Sequence, residues 1–399
     1  MDKDSILVFG VGKLQKSIID RARLMGLLTV GIDPCADAEC RHDVDVFEIV
    51  GGQDYEGTLA VARKYGVKAV VTAATDKPLV MMARVAEPLG LPFYSVETAV
   101  ASTDKLLMKE RFISGGIPCA RGITINCVED AAGLHYPIII KPRDNSGSRG
   151  VILCRNQEEL EAAFSEAKAN TRLDSVLAEE YIEGQEYSIE SLHFNGTSKV
   201  IQFTEKKTTP FPYNVELGHI QPANLTNDQR ARIEDIVAAI GKAMGFDNCA
   251  SHTELKINER GIFIIETSPR LGGDYITSCL VPLSTGFNME DALLHIALGR
   301  SDSVSVDIDN KASAVCFLAL PEGEVTSMDN QLLSTVDSWP GLISFECTLQ
   351  TGAKVPRITS SLSRYGQFIV QARDRRTVEE MLYEYNSRIT KSIAIDTNE

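Results

Sequence analysis

The chain has no Cys-x-x-Cys pair, no surplus of basic residues, no apolar run of membrane-spanning length and a single tryptophan. Each absence removes a class of protein. Nine cysteines scattered without close spacing exclude a zinc ribbon or a disulfide framework and suit a reducing cytosol. They read as small apolar core residues, with Cys35 and Cys40 in loops as exceptions. Lys and Arg number 40 against 55 Asp and Glu, a net charge of −15. That balance argues against nucleic acid or an anionic membrane as partner, because phosphate backbones reward clustered cations. It leaves room for a local cationic pocket. Met1-Asp2-Lys3-Asp4 lacks the basic start and apolar core of a secretion signal, so a cytoplasmic protein is expected. The Asn-x-Thr triplets at Asn195 and Asn224 then carry no glycosylation meaning. There is no Gly-Lys-Ser/Thr ending of a Walker loop, and no Ser/His/Asp or Cys/His pattern that demands a covalent nucleophile. Trp339, ahead of Pro340-Gly341, is accounted for by surface packing in a turn.

What is present is a large apolar fraction, 44% of 399 residues, enough for two or three packed domains. Residues 1–101 alternate strand and helix. Ile6 to Phe9 reads as a strand, Gly10-Val11-Gly12 as a tight turn and Lys13 to Met25 as a helix. Leu28 to Ile32 is a strand ending at Asp33, Tyr55 to Tyr65 a helix, and Val67 to Thr72 a further strand. This is a parallel, doubly wound α/β pattern. The turn reads Gly-x-Gly-x-x-Gln, with Asp33 near the place of a ribose-binding carboxylate. A nicotinamide or flavin dehydrogenase is therefore a rival reading, weakened by Gln15 in place of the third glycine.

The richest stretch is Ile264-Ile265-Glu266-Thr267-Ser268-Pro269-Arg270-Leu271-Gly272-Gly273. An apolar strand ends on a carboxylate and a turn follows, with an arginine and two glycines. Glu254 lies on the preceding strand, Cys249 to Ile257. A three-residue loop, Glu259 to Gly261, would pair Asn258 with Ile262 and set Glu254 opposite Glu266. Period-two alternation puts His252, Glu254 and Lys256 on one face. Facing carboxylates repel unless a cation lies between them. Mg²⁺ commonly takes one or two carboxylates plus phosphate oxygens, and arginine offers a planar fork to phosphate.

Upstream, Pro137 to Pro142 is an apolar strand ending on Lys141. It enters the Gly/Ser loop 144–150, whose backbone N–H groups can cradle anionic oxygens. Val176 to Glu186 reads as a strand, a short connector and the start of another strand. Thr103-Asp104-Lys105-Leu106-Leu107-Met108-Lys109 opens a helix.

Lysine strand, Gly/Ser loop, acidic hinge and paired carboxylates, in that order, resemble the ATP-grasp superfamily over about 102–300. The resemblance implies that Lys105 and Lys141 bind the phosphates of ATP beneath the loop of Ser146, Gly147, Ser148, Arg149 and Gly150. It implies a hinge of Glu179, Glu180, Tyr181 and Ile182 at the adenine edge, and Glu186 on the ribose hydroxyls. Glu254 and Glu266 would ligate Mg²⁺ (or Mn²⁺), and Arg270 would steady the transferring phosphoryl group. Many members carry asparagine where Ser268 stands, and the shorter serine puts a second metal in question. His252 lies near the place where related ligases put a cation for a tetrahedral intermediate. Lys207, His219, Gly272 and Gly273 are the substrate-side candidates.

The family layout implies a Rossmann-like domain at 1–101 and an ATP-grasp domain at 102–300, with a lid at about 118–181. A small α+β lobe at 301–399 would complete it, where Ser363-Arg364-Tyr365-Gly366 resembles the C-terminal lobe of biotin carboxylase and purine-pathway members. The expected activity is an ADP-forming ligase that joins a small carboxylate to an amine through an acyl phosphate. Both substrates are small molecules, one of them an amino acid, and a homodimer is compatible with the layout. Phosphoribosyl-amine or carbamoyl-phosphate chemistry is the near alternative. An ATP-binding regulator is the alternative of another class.

Overall fold

The computed structural model describes residues 3–397. Near the N-terminus, Ser5–Phe9 pairs in parallel with Leu28–Asp33 and with Ala69–Val71, and Val46–Ile49 completes a four-stranded sheet. Alternate residues enter different cores. Leu7 and Phe9 pack with Leu59, Leu79 and Met82, whereas Ile6 and Val8 pack with Ile18 and Ile19. The sheet is thus covered on both faces, which explains its unbroken apolar strands.

A second four-stranded sheet is antiparallel, in the order Gly122–Ile125, Val176–Glu180, Ile138–Lys141, Ile152–Cys154. Helix Gln157–Ala169 covers it through Leu160, Ala163 and Ala167.

The largest sheet has eight strands. Their spatial order is Gly261–Ser268, Cys249–Asn258, Gln185–Phe194, Thr197–Thr208, Glu216–Gln221, Ala312–Phe317, Gly366–Ala372, Leu342–Cys347. Three strands after residue 310 therefore extend the central sheet. Gly323–Met328, Lys354–Val355 and Ile393–Asp396 form a separate small sheet beside it. Trp339 corrects its reading. It is buried, with its ring 4.8 Å from that of Tyr385 and the Arg388 guanidinium 3.9 Å from its centroid. Cys40 is likewise buried, whereas Cys35 is exposed.

The hairpin reaches its expected pairing by an unexpected route. Asn258 pairs with Gly261, so the loop is one residue shorter than expected. The register would then slip by one, but a bulge between Leu255 and Glu254 absorbs the extra residue on the facing strand. Glu254 ends opposite Glu266, and His252 opposite Ser268.

Candidate active site

The central sheet aligns charged residues across neighbouring strands. Lys256 lies opposite Glu186, and Lys206 opposite His219. The Lys206 side chain is 2% exposed, with Nζ 2.8 Å from Glu186 Oε1, 2.8 Å from Glu254 Oε1 and 3.3 Å from Glu216 Oε1. Burial works against this ammonium, yet the three carboxylates hold it well above the ordinary lysine range. Lys207, the residue expected on the substrate side, is exposed and lines an adjoining groove that shares Tyr181, Glu186 and Lys256 with the main cleft. Two adjacent lysines carry no signal of which one turns inward. Only the strand pairing separates them.

Burial pushes Glu254 up, but Lys206 foremost, then His252, hold it well below the usual carboxylate range. Glu266 Oε2 lies 3.0 Å from Lys105 Nζ, which also donates to the Asn145 carbonyl at 2.7 Å. Each facing carboxylate thus has its own ammonium. Lys141 pairs with buried Glu179, whose other oxygen is 2.9 Å from Lys109 Nζ. The hinge glutamate Glu179 is thereby fixed by two lysines, and Lys109 went unread in the sequence because it looks like any helix-surface lysine.

His252 stands between two carboxylates. Its Nδ1 is 2.6 Å from Glu190 Oε1, and its Nε2 is 3.4 Å from Glu254 Oε1. Burial opposes its charge, but Glu190 lifts the imidazole to about 9. Glu190 is fully buried, mid-strand, and gave no signal in the sequence. Gly272 packs against this pair. A Cβ there would lie 2.7 Å from Glu190 Oε2 and 2.8 Å from His252 Nδ1.

Arg270 is held from the N-terminal sheet. Its Nε donates to Asp76 Oδ1 at 2.8 Å and its Nη2 to Asp76 Oδ2 at 3.2 Å. The Ser268 hydroxyl donates to the same Asp76 Oδ1 at 2.6 Å. Ser268 thus also serves the arginine clamp, and its oxygen lone pairs stay free to face the cleft. Asp76 follows strand Ala69–Val71, in the crevice outside the carboxyl ends of parallel strands, where that position was the available clue.

Lys105, Lys141, Ser146, Gly147, Ser148, Arg149, Glu179, Glu180, Tyr181, Ile182, Glu186, His252, Glu254, Glu266, Ser268 and Arg270 line one cleft. Lys207, His219, Gly150, Gly272 and Gly273 do not. Gly150 takes a left-handed φ of +73° beside Pro142 and serves the turn. His219 is 1% exposed, with Nε2 3.7 Å from Asp274 Oδ2, and Asp274 is clamped by Arg364 at 2.7 and 2.8 Å. Glu216, three residues earlier, lines the cleft instead. Among the described residues no group of three or more His, Cys, Asp or Glu side chains forms a metal cage. Two facing carboxylates fit a hard cation that draws its remaining ligands from phosphate and water.

The N-terminal turn is filled by its own side chains. Asp33 accepts from the Val11 and Cys35 N–H groups at 3.0 and 2.8 Å, and Gln15 accepts from Gly12 N–H at 3.3 Å. The amide of Gln15 donates to the Ala73 carbonyl at 2.9 Å. The N–H groups that would cradle a pyrophosphate are thus engaged, which counts against the dehydrogenase reading.

Residues 134–278 match the family described as ATP-grasp domain, in agreement with the resemblance that the motifs carry. The chain is 28% identical over 261 residues to an alanine–anticapsin ligase of Bacillus amyloliquefaciens, covering 58% of this chain and 53% of that one. It therefore spans about half the length of that curated relative. An L-arginine-specific L-amino acid ligase of Bacillus subtilis is 25% identical over 305 residues, covering 73% of this chain and 72% of the other. In fold, the crystal structure of an L-amino acid ligase from Bacillus licheniformis superposes with a TM-score of 0.84 at 20% identity, covering 99% of each chain. No helix among the described residues is long and apolar enough to cross a membrane.

Proposed function

We propose that the protein is an ADP-forming ligase that joins the carboxylate of an amino acid to an amine through an acyl phosphate. The observation that carries this is the convergence in one cleft of Lys105, Lys141 and a Gly/Ser loop with Glu254 facing Glu266 and with Arg270 and His252 beside them. The lysines and the loop N–H groups suit a polyphosphate. Glu254 and Glu266 would hold Mg²⁺, which supplies charge neutralisation between the phosphoryl groups.

A carboxylate cannot acylate an amine directly, because oxide is too poor a leaving group. Attack of the carboxylate oxygen on the γ-phosphorus releases ADP and leaves an acyl phosphate, a mixed anhydride. Arg270, fixed by Asp76, is aimed to balance the charge that gathers on that phosphoryl group. His252, kept cationic by Glu190, is suited to the tetrahedral oxyanion that forms when the amine attacks. Phosphate then leaves and the amide remains. The loop 144–150 would shield the acyl phosphate from water.

The amino-acid reading is supported by the names of the two ligase relatives. A phosphoribosyl-amine substrate is less well supported, because the glycine turn near the N-terminus, a natural anion cradle, is taken by Asp33. A regulator without activity rested on Ser268, whose hydroxyl has an account of its own in the arginine clamp.

Isotope tracing tests the mechanism. A carboxylate labelled with heavy oxygen should pass one labelled oxygen to the released phosphate. Unlabelled phosphate, or formation of AMP and pyrophosphate, would refute the acyl-phosphate path.

A further inference from the structure

Lys206 is a buried cation shared by three carboxylates that come from three different strands: Glu186, Glu216 and Glu254. A single partner would satisfy one ammonium. Three surround it and give it alternative seats, with Lys256 3.9 Å from Glu186 and His252 3.4 Å from Glu254 as the neighbouring cations. Only Glu254 among the three faces Glu266 across the hairpin. Glu266 is paired in turn with Lys105 at 3.0 Å.

We propose that Lys206 is a positioning residue that makes metal uptake conditional on nucleotide. This rests on the nucleotide and metal reading of the cleft given above. A divalent cation arriving alone meets an ammonium on each of its two carboxylates, and the repulsion in this buried setting is large. A nucleotide changes the balance. Its phosphates draw Lys105 away from Glu266, and their charge lets Lys206 lean onto Glu186 and Glu216, freeing Glu254 for the ion. Glu186 and Glu216 are the seats that make the shift affordable. Without them the ammonium would have to stay on Glu254 or lose its partner altogether. The cleft thus admits the ion with the phosphates and discriminates against the ion by itself.

Mn²⁺ uptake by the full chain, followed by electron paramagnetic resonance with and without ADP, tests this. The wild type should hold Mn²⁺ firmly only when ADP is present. Lys206→Met should bind Mn²⁺ alone at least about tenfold more tightly than the wild type, because a like charge has been removed from beside the ion. Lys206→Arg should follow the wild type. A merely structural lysine would not move this readout. If Lys206→Met does not fold, Glu216→Gln serves: with one seat lost, Lys206 stays on Glu254, and Mn²⁺ bound to the ADP-saturated protein should weaken about threefold or more. Equal uptake of Mn²⁺ alone by Lys206→Met and the wild type overturns the proposal, as does a Glu216→Gln variant indistinguishable from wild type. Failure of the wild type to take up Mn²⁺ even with ADP would overturn the metal and nucleotide reading itself, a result visible before any variant is made.

Discussion

Gly272 and Gly273 are neighbours in sequence, yet the structure assigns them opposite tolerance to a methyl group. Neither has a left-handed φ, so alanine suits both backbones. At Gly272 the new Cβ would sit 2.7 Å from Glu190 Oε2 and 2.8 Å from His252 Nδ1, inside normal contact distance of both. These atoms belong to a buried pair held at 2.6 Å on adjacent strands, and neither strand can retreat without breaking its ladder. Overpacking costs about 1–3 kcal/mol. Prising apart a buried ion pair costs up to about 3–5 kcal/mol. Gly272→Ala should therefore lose about 2–4 kcal/mol of stability, with a sharper loss of activity because His252 is displaced. At Gly273 the nearest atom would be Ala74 Cβ at 3.5 Å, an ordinary contact, so Gly273→Ala should change stability by less than about 1 kcal/mol. Urea denaturation of both variants, with ADP release measured in parallel, gives the comparison. Equal losses in the two, or a harmless Gly272→Ala, would refute the reasoning.

Three further outcomes are expected. Asp76→Asn keeps the shape but leaves the buried Arg270 unbalanced, so stability should drop by about 3 kcal/mol in urea melts and phosphoryl transfer should fall with it. Glu254→Gln and Glu266→Gln should each abolish metal-dependent turnover and also lower the melting temperature, because each carboxylate pairs with a lysine; a rise in melting temperature would show those pairs to be unfavourable. Burial pushes Glu290 up to about 7 even though its Oε2 accepts from the Ser17 hydroxyl at 2.6 Å. A raised carboxyl stabilises the fold fully below its unfolded value near 4.5, and that contribution is lost as pH rises through about 7. Glu290→Gln should remove that slope and gain up to about 3 kcal/mol at pH 8, read by urea melts across pH; an unchanged slope would refute it.

The sequence discloses what depends on local chemistry. Helices Lys105–Ser114 and Gln157–Ala169 each begin behind a local cap, since Asp104 and Asn156 both accept from the first turn. The paired carboxylates were legible because hairpin partners lie close in sequence. Even there the agreement hid two departures, a shorter loop and a bulge, that offset each other. What escaped was long-range. Asp76 meets Ser268 across 192 positions, and Glu190 meets His252 across 62. Acids of this kind, Glu190 buried and Asp76 half-buried, have no local signature, because their cost is offset by partners that only the fold brings near. Lys206 was missed for a related reason. Inward and outward lysines differ by one position of register, and register is set by neighbouring strands.

The division of the hydrophobic cores decides which part of the protein can move against the chemistry. Leu7, Phe9 and Leu79 of the N-terminal unit share one core with Ile189, Leu255 and Ile264 of the central sheet. An interface sealed by common apolar packing does not open at low cost, so Asp76 can hold Arg270 in a fixed position. The 122–180 sheet is different. Ile125, Ile138, Ile140, Leu160 and Val176 form a core of their own, with no buried member from the rest of the chain. Its attachments are polar: Arg143 pairs with Asp104, and Lys105 donates to the Asn145 carbonyl. Lys105 is also the cation on Glu266. A nucleotide that draws Lys105 to its phosphates therefore changes the partner of the residue that tethers the Gly/Ser loop. On the proposed reading, loop position and the charge at Glu266 would be coupled through one side chain. The rigid contact lies behind Arg270, and the movable one would lie over the phosphates of the proposed nucleotide, where an acyl phosphate would need shielding.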